Sequence, residues 1–280
     1  MVLLDAAAET LDHDRLAVAT FDHGTGPAAQ EAAALVAARA LDLGLGCVCG
    51  NAETTGHSES EWRTARWTFL NEVACRLDAT VVTAHTLDDQ VETVFIRALR
   101  GAGPRGLAGL FADSPVARPL IETTRAEIQL YAQGDRTPFV TDPSNVDRRH
   151  LRNRVRLDIL PALDLASPGF SASLLEIAEK AAAWRAQMEA VALTFHMMSD
   201  SPQSHSFERR QLRDFPAESL GFLWPALCAR AGIVLDWRGT ERLAAFTIEG
   251  ETGQQIQLSG GVRVHMDRRT INFRQMASNG

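Results

Sequence analysis

The segment TAHTLDDQVETVFIRALRGAGPRGLAGL, residues 83–110, runs from acid through base to glycine. Asp88, Asp89 and Glu92 place three carboxylates within five positions. If a helix starts near Leu87, the spacings 88 to 92 and 89 to 92 put these side chains on neighbouring ridges of its first turns. Two chemistries fit. Acidic residues favour helix N-termini, where the macrodipole rewards each by a few tenths to about 1 kcal/mol. Three carboxylates this close exceed what capping needs, and their mutual repulsion calls for a cation among them, a metal ion or an ammonium ligand.

The basic half of the segment also has two readings. Arg97 and Arg100 close the helix at its negative end. Arg105 lies in GAGPRG, where Gly101 and Gly103 belong to a set of four glycines between 101 and 109 that leave backbone amides approachable. Such a loop beside arginine can hold phosphate or a nucleic-acid backbone, and a surface loop with capping arginines has the same composition. Further on, DRRHLRNRVR contains Arg148, Arg149, Arg152, Arg154 and Arg156. At helical spacing Arg149, Arg152 and Arg156 share a face. A solvated surface is the ordinary meaning of such a run. In a chain of net charge −7, however, this local excess is also a phosphate-binding candidate.

The elements that must position these groups follow from periodicity. Between Arg15 and about Phe139, apolar strand-like runs alternate with amphipathic stretches, the pattern of a parallel α/β sheet. RLAVATFDHG reads as a strand ending at Asp22 and His23, QEAAALVAARALDLG as a helix stopped by Gly44, and GCVCG as a short strand. SESEWRTARWTFLNEVACRLD reads as a helix, and ATVVTAH as a buried strand ending at His85. A helix then runs from Leu87 to Arg100 on a buried stripe of Val91, Val94, Phe95, Ala98 and Leu99. Ligands of open α/β sheets collect outside the carboxyl ends of the strands, which points to Asp22, His23 and His85.

From about Asp147 the chain reads as helical, through RRHLRNRVRLDILPAL and SASLLEIAEKAAAWRAQMEAVALTFHMM. SDSPQSHS reads as a linker. Two helical segments follow, near Phe215 to Gly232 and Asp236 to Phe246, and then a hairpin turning at Gly260 and Gly261. The expected organisation is an α/β domain over 1–145, a helical extension over 146–200 and a small α+β domain over 203–280.

Composition narrows the class. The chain has 280 residues, 45% of them hydrophobic, and lacks an apolar run of the length that crosses a bilayer, about 18 residues. Its N-terminus shows no basic region or cleavage pattern of a signal peptide, so a cytoplasmic protein is expected. The acidic balance argues against nonspecific nucleic-acid binding by the whole surface. Cys47, Cys49, Cys75 and Cys228 match neither a zinc ribbon nor a disulfide framework and read as isolated thiols. Lys180 is the only lysine; nearly every cation is arginine, the better partner for bidentate phosphate contacts.

AHTLDDQVETVFIRALRGAGPRGLAGL closely resembles the signature segment of the tRNA(Ile)-lysidine synthetases, members of the PP-loop ATP pyrophosphatase superfamily. RPLIETTRAEIQLYA, DPSNVDRRHLRNRVRLDILPAL and ESEWRTARW are similar to other shared segments of that family, in the expected order. The resemblance covers roughly residues 1–165. It implies a PP-loop fold, like that of the adenine nucleotide alpha hydrolases, and a two-step reaction using ATP and Mg2+. ATP adenylates a base carbonyl of tRNA(Ile) with a CAU anticodon, and the amine of free lysine then displaces AMP from the wobble cytidine. By the same resemblance Asp89 and Glu92 would recognise the lysine ammonium, with His85 and Asp88 shaping the site. Asp22, His23, Arg63, Arg66, Gly101 and Gly103 would serve ATP. Arg97, Arg100, Arg105, Arg149, Arg152, Arg154 and Arg156 would meet tRNA.

One motif departs from the pattern. The superfamily's Ser-Gly-Gly-x-Asp-Ser loop, whose amides cradle the ATP phosphates after the first strand, is not found in the sequence. MVLLDAA resembles the helix start that follows that loop, so Met1 is expected to fall directly after it. The expectation is a start placed too far downstream, or a truncation. The other reading is a chain that has lost its nucleotide loop and keeps tRNA binding without chemistry. A sulfur-inserting tRNA enzyme of the same superfamily is the enzymatic alternative; the paired cysteines that would carry sulfur are not evident around Cys47 and Cys49.

Overall fold

The computed structural model describes residues 1–24, 26–52, 59–140, 143–201 and 203–275. The chain divides into two compact units, one of Met1–Ile96 with Asp113–Glu176 and one of Arg97–Ala112 with Ile177–Gly280.

In the first unit the strands Val18–Asp22 and Cys47–Asn51 pair in parallel, Val18 opposite Cys47 and Asp22 opposite Asn51. The helix Pro27–Asp42 connects them. Pro27 sits in its first turn, where a missing N–H costs nothing. Gly44, at φ +70°, takes the left-handed conformation that ends it. The helix Glu59–Leu77 lies close against the second strand: a Cβ on Gly50 would come within 2.6 Å of the Phe69 ring. Asp5 is buried and accepts from Arg39 Nε and Thr137 Oγ1, each at 2.8 Å, which fastens the helix Val2–Thr10 to two distant segments. Burial alone would raise the Asp5 pKa; the hydrogen bonds from Arg39 and Thr137 bring it below the usual carboxylate value.

ATVVTAH does not form the expected buried strand. It makes a single parallel bridge, Val82 to Ala117, and Val82 is 49% exposed. The bridge is closed by Ala117 N donating to Val81 O at 2.9 Å and Thr83 N donating to Ala117 O at 3.0 Å. In a parallel ladder the next donors from the partner are two residues to either side, and those residues are Pro115 and Pro119. Neither has an N–H, so the ladder stops where it began.

The helix Leu87–Leu99 forms as expected, but its buried face differs. Gln90, Val91, Glu92 and Val94 are buried, while Ala98 and Leu99 are exposed. Packing covers the first turns, centred on a polar cluster, and the apolar stripe runs out from under it. Farther along, Leu151–Arg154 continues through a π turn, Val155–Ile159, into Leu160–Ala166. Pro161 accounts for the widened turn: it cannot donate to Leu157 O, and its ring would strike that carbonyl in a regular α-helix.

The second unit holds a five-stranded antiparallel sheet in the order Met197–Ser201, Ser204–Glu208, Thr270–Gln275, Val262–Met266, Gln255–Leu258. Two sequence expectations are corrected here. The long helix Phe170–Leu193 stops before the histidine and methionines assigned to it. Arg230 Nη1 caps its end, donating to the carbonyls of Ala192 and, at 2.8 Å, Phe195. The supposed linker is a hairpin, with Met197 opposite Phe207 and Met198 opposite Ser206. Its serines hid a strand pair whose apolar members reach the core. The helices Ala217–Arg230 and Trp237–Glu249 form as expected, as does the turn at Gly260 and Gly261, both at φ +72°. Trp224, Phe207 and Phe273 centre this core, and Trp224 Nε1 donates to Thr247 Oγ1 at 2.9 Å.

Candidate functional site

Thr86 begins the acidic helix. Its amide and hydroxyl both donate to Asp89 Oδ2 at 3.0 Å, and Asp89 N donates back to Thr86 Oγ1 at 3.4 Å. This is a capping box with aspartate in the reaching position. The other carboxylate oxygen, Oδ1, accepts from Arg152 Nη2 at 2.9 Å and Arg125 Nη2 at 3.3 Å. Capping and cation pairing, two separate readings of the sequence, share one side chain.

Glu92 is 1% exposed. Arg156 grips it with a fork, Nε to Oε1 at 2.6 Å and Nη2 to Oε2 at 2.9 Å. Arg152 Nε reaches Oε2 at 2.7 Å, and both terminal nitrogens of Arg125 lie 3.4 Å from Oε1. A carboxylate this deep is tolerable only when paired and hydrogen-bonded. Asp88 turns the other way: its Oδ2 accepts from the backbone N–H of Arg125 at 2.7 Å, at the start of the helix Arg125–Gly134. The cation required among the carboxylates is therefore guanidinium, supplied by Arg125, Arg152 and Arg156.

The electrostatics follow. Burial would raise the Asp89 pKa, but the Thr86 amide and the charges of Arg152 and Arg125 outweigh it and hold it low. The hydrogen bond to Glu92 raises Arg156. His85, at the head of the helix and 2.8 Å from Thr83 Oγ1 through Nδ1, is lowered first by burial and then by Arg118, Arg152 and Arg63, against the pull of Asp89.

Beside the cluster opens a cavity of about 390 Å³. Asp88, Glu92, Asp164, Arg125 and Arg156 supply its charged wall, and Leu87, Val91, Leu160, Pro161 and Leu175 its apolar one.

Other residues singled out in the sequence lie elsewhere. His23 follows the first strand, its pKa lowered by burial and Arg66 against Asp22, and Asp22 Oδ1 accepts from Gly24 N at 2.8 Å. His23 Nδ1 and Trp62 Nε1 are buried without a hydrogen-bond partner among the described residues. Such atoms cost about 1–3 kcal/mol each unless something meets them. Arg66, half-buried, is lowered by burial and then by Arg63, which is exposed. In the second unit Arg97 Nη1 donates to Gly106 O at 2.7 Å, Arg105 pairs with Glu189 at 2.8 Å, Arg100 is exposed, and Gly101 takes φ +71° ahead of Gly103. Arg149 precedes its helix, pairs with Asp147 and is 88% exposed in its side chain; Arg154 is exposed. The face expected to join Arg149 with Arg152 and Arg156 is thus divided. Arg125 was not singled out by the sequence reading, although Thr124 and Glu127 around it spell a capping box, which the structure contains.

The PP-loop domain family matches residues 1–163. A tRNA(Ile)-lysidine synthase of Thermosynechococcus vestitus is 30% identical over 239 residues, which cover 82% of this chain and 69% of the relative. The chain belongs to this PP-loop family. The tRNA(Ile)-lysidine synthase of Thermosipho africanus is 32% identical over 189 residues, 64% of this chain and 44% of the relative. That of Burkholderia mallei is 36% identical over 194 residues, 65% and 40%. The chain thus spans less than half the length of these last two PP-loop relatives. Among solved structures, the U34-tRNA thiolase NcsA from Methanococcus maripaludis with its [4Fe-4S] cluster superposes with a TM-score of 0.51 at 15% identity, covering 64% of this chain and 65% of that one. This likeness shows the PP-loop fold. Among the described residues no helix is long and apolar enough to cross a membrane.

Proposed function

We propose that the chain carries the catalytic part of a cytoplasmic, ATP-dependent tRNA-modifying ligase, a tRNA(Ile)-lysidine synthetase acting on the wobble cytidine of a CAU anticodon. The observation that supports this reading is the cavity beside the acidic helix, whose walls combine carboxylates, guanidinium groups and aliphatic side chains. Free lysine presents the complementary set: ammonium, carboxylate and a methylene stem that packs on apolar surface.

ATP adenylates the cytidine carbonyl oxygen, with release of pyrophosphate. The lysine amine then attacks the activated carbon, AMP leaves with its oxygen, and the amine loses a proton. Asp88, on the cavity wall, is the carboxylate that meets the ammonium, while Asp89 and Glu92 hold the arginines in place. His85, whose pKa is lowered chiefly by burial so that the neutral imidazole is favoured, is the group we assign to take the amine's proton. ATP is assigned to the strand end, where His23 and Trp62 offer polar atoms without a partner among the described residues and Arg63 and Arg66 offer charge. The exposed Arg149 and Arg154, with Arg97, Arg100 and Arg105 of the second unit, are the proposed contacts to tRNA phosphates.

Mg2+ does not fit this site as a protein-held ion. Among the described residues no group of three or more His, Cys, Asp or Glu is arranged for a metal, and the oxygens of Asp89 and Glu92 already accept from Thr86 and the arginines. Cys47 and Cys49 have their sulfurs 3.9 Å apart, and the lysidine synthase relatives favour lysine transfer over sulfur insertion.

Pyrophosphate release, measured with ATP, lysine and tRNA(Ile), tests the reading. Release that requires both lysine and the CAU anticodon is expected. Release that requires a sulfur donor instead, or tRNA binding with no release at all, overturns it.

A further inference from the structure

The three guanidinium groups are not held alike. Arg152 and Arg156 bind their carboxylates at 2.6–2.9 Å. Arg125 approaches Asp89 and Glu92 only at 3.3–3.4 Å, the long end of hydrogen bonding. Its backbone, by contrast, is fixed. Thr124 caps the helix, with Thr124 N donating to Glu127 Oε2 at 2.7 Å, Arg125 N donates to Asp88 at 2.7 Å, and Leu87 N donates to Thr123 O at 2.9 Å, which stitches the two helix starts together. Both Arg125 and Arg156 line the cavity, but Arg156 spends its fork on Glu92. Arg125 thus combines an anchored backbone, a loosely paired planar donor and access to the cavity.

We propose that Arg125 binds the carboxylate of the incoming amino acid and so makes the site select an amino acid over a simple amine. This rests on the lysine reading above. An arginine fork matches a carboxylate bidentately, and such charge-assisted bonds are the strong ones. Moving from long contacts to a direct fork on the ligand breaks little, because Arg152 and Arg156 keep Asp89 and Glu92 neutralised.

The test is equilibrium titration of the full chain, wild type and Arg125→Gln, with lysine and with 1,5-diaminopentane, which has the same amines and no carboxylate. Wild type is expected to bind lysine tighter than the diamine by roughly tenfold or more, the worth of one charge-assisted pair. Arg125→Gln should lose that preference, weakening lysine while leaving the diamine unchanged, and Arg125→Lys should restore part of it. If Arg125→Gln fails to fold by circular dichroism, Arg125→Lys carries the test: it keeps the charge but not the fork, and undiminished preference for lysine overturns the proposal. A wild type that binds lysine, with Arg125→Gln retaining the full preference, overturns this assignment alone. A wild type that binds no lysine overturns the amino-acid site together with it.

Discussion

Glu92 is the most constrained ionisable side chain of the cluster, and its partners sit 33 to 64 positions away in sequence. Removing one member of a buried, paired set leaves the others uncompensated. Glu92→Gln is therefore expected to destabilise the first unit by about 3–5 kcal/mol, read from urea unfolding; a loss under about 1 kcal/mol would show that the pairing is not buried in solution. Asp89 adds a pH dependence. Its folded pKa is lowered, so its contribution is present above the unfolded value of about 4 and is lost as pH falls through the folded one. His23 and His85 are also lowered, so stability should begin to fall earlier, as pH drops below about 6.5, where the unfolded histidines take up protons and the folded ones resist. Unfolding midpoints measured from pH 7.5 to 3.5 should decline in that order. At this scale the sequence shows that three carboxylates need a cation. It does not show which, because long-range guanidinium partners leave no local periodicity.

The elements were legible where local chemistry decides them. Gly44, the turn at Gly260 and Gly261, and the helix from Leu87 could all be read from caps, glycines and apolar spacing. The failures came from partners. ATVVTAH is a strand by composition, yet Pro115 and Pro119 in the neighbouring segment withhold the donors a ladder needs. SDSPQSHS is a linker by composition, yet Phe207 and Ile271 lie opposite one another in the sheet and draw it into the core. Gly50 shows the same dependence on a neighbour, since its strand could be read and its close approach to Phe69 could not. Gly50→Ala should cost about 1–3 kcal/mol through overpacking, and an unchanged urea midpoint would mean the helix Glu59–Leu77 sits farther off.

Across the whole molecule, the charged cluster and the large apolar core fall in different compact units. The cluster of Asp89, Glu92 and the three arginines lies within the first, and the core around Trp224 and Leu227 within the second. Leu227→Ala should cost about 2–5 kcal/mol and lower the unfolding transition of the second unit while leaving lysine titration unchanged. Loss of lysine binding in that variant would place part of the amino-acid site outside the acidic helix. The central claim is that the carboxylates of this helix organise an amino-acid site for transfer to tRNA. Its most direct test is transfer of labelled lysine to tRNA(Ile) with a CAU anticodon, measured for wild type and Asp89→Asn beside tRNA binding. Wild type should transfer lysine and Asp89→Asn should transfer none, with tRNA affinity held within a few fold; full transfer by Asp89→Asn would remove the carboxylates from the site.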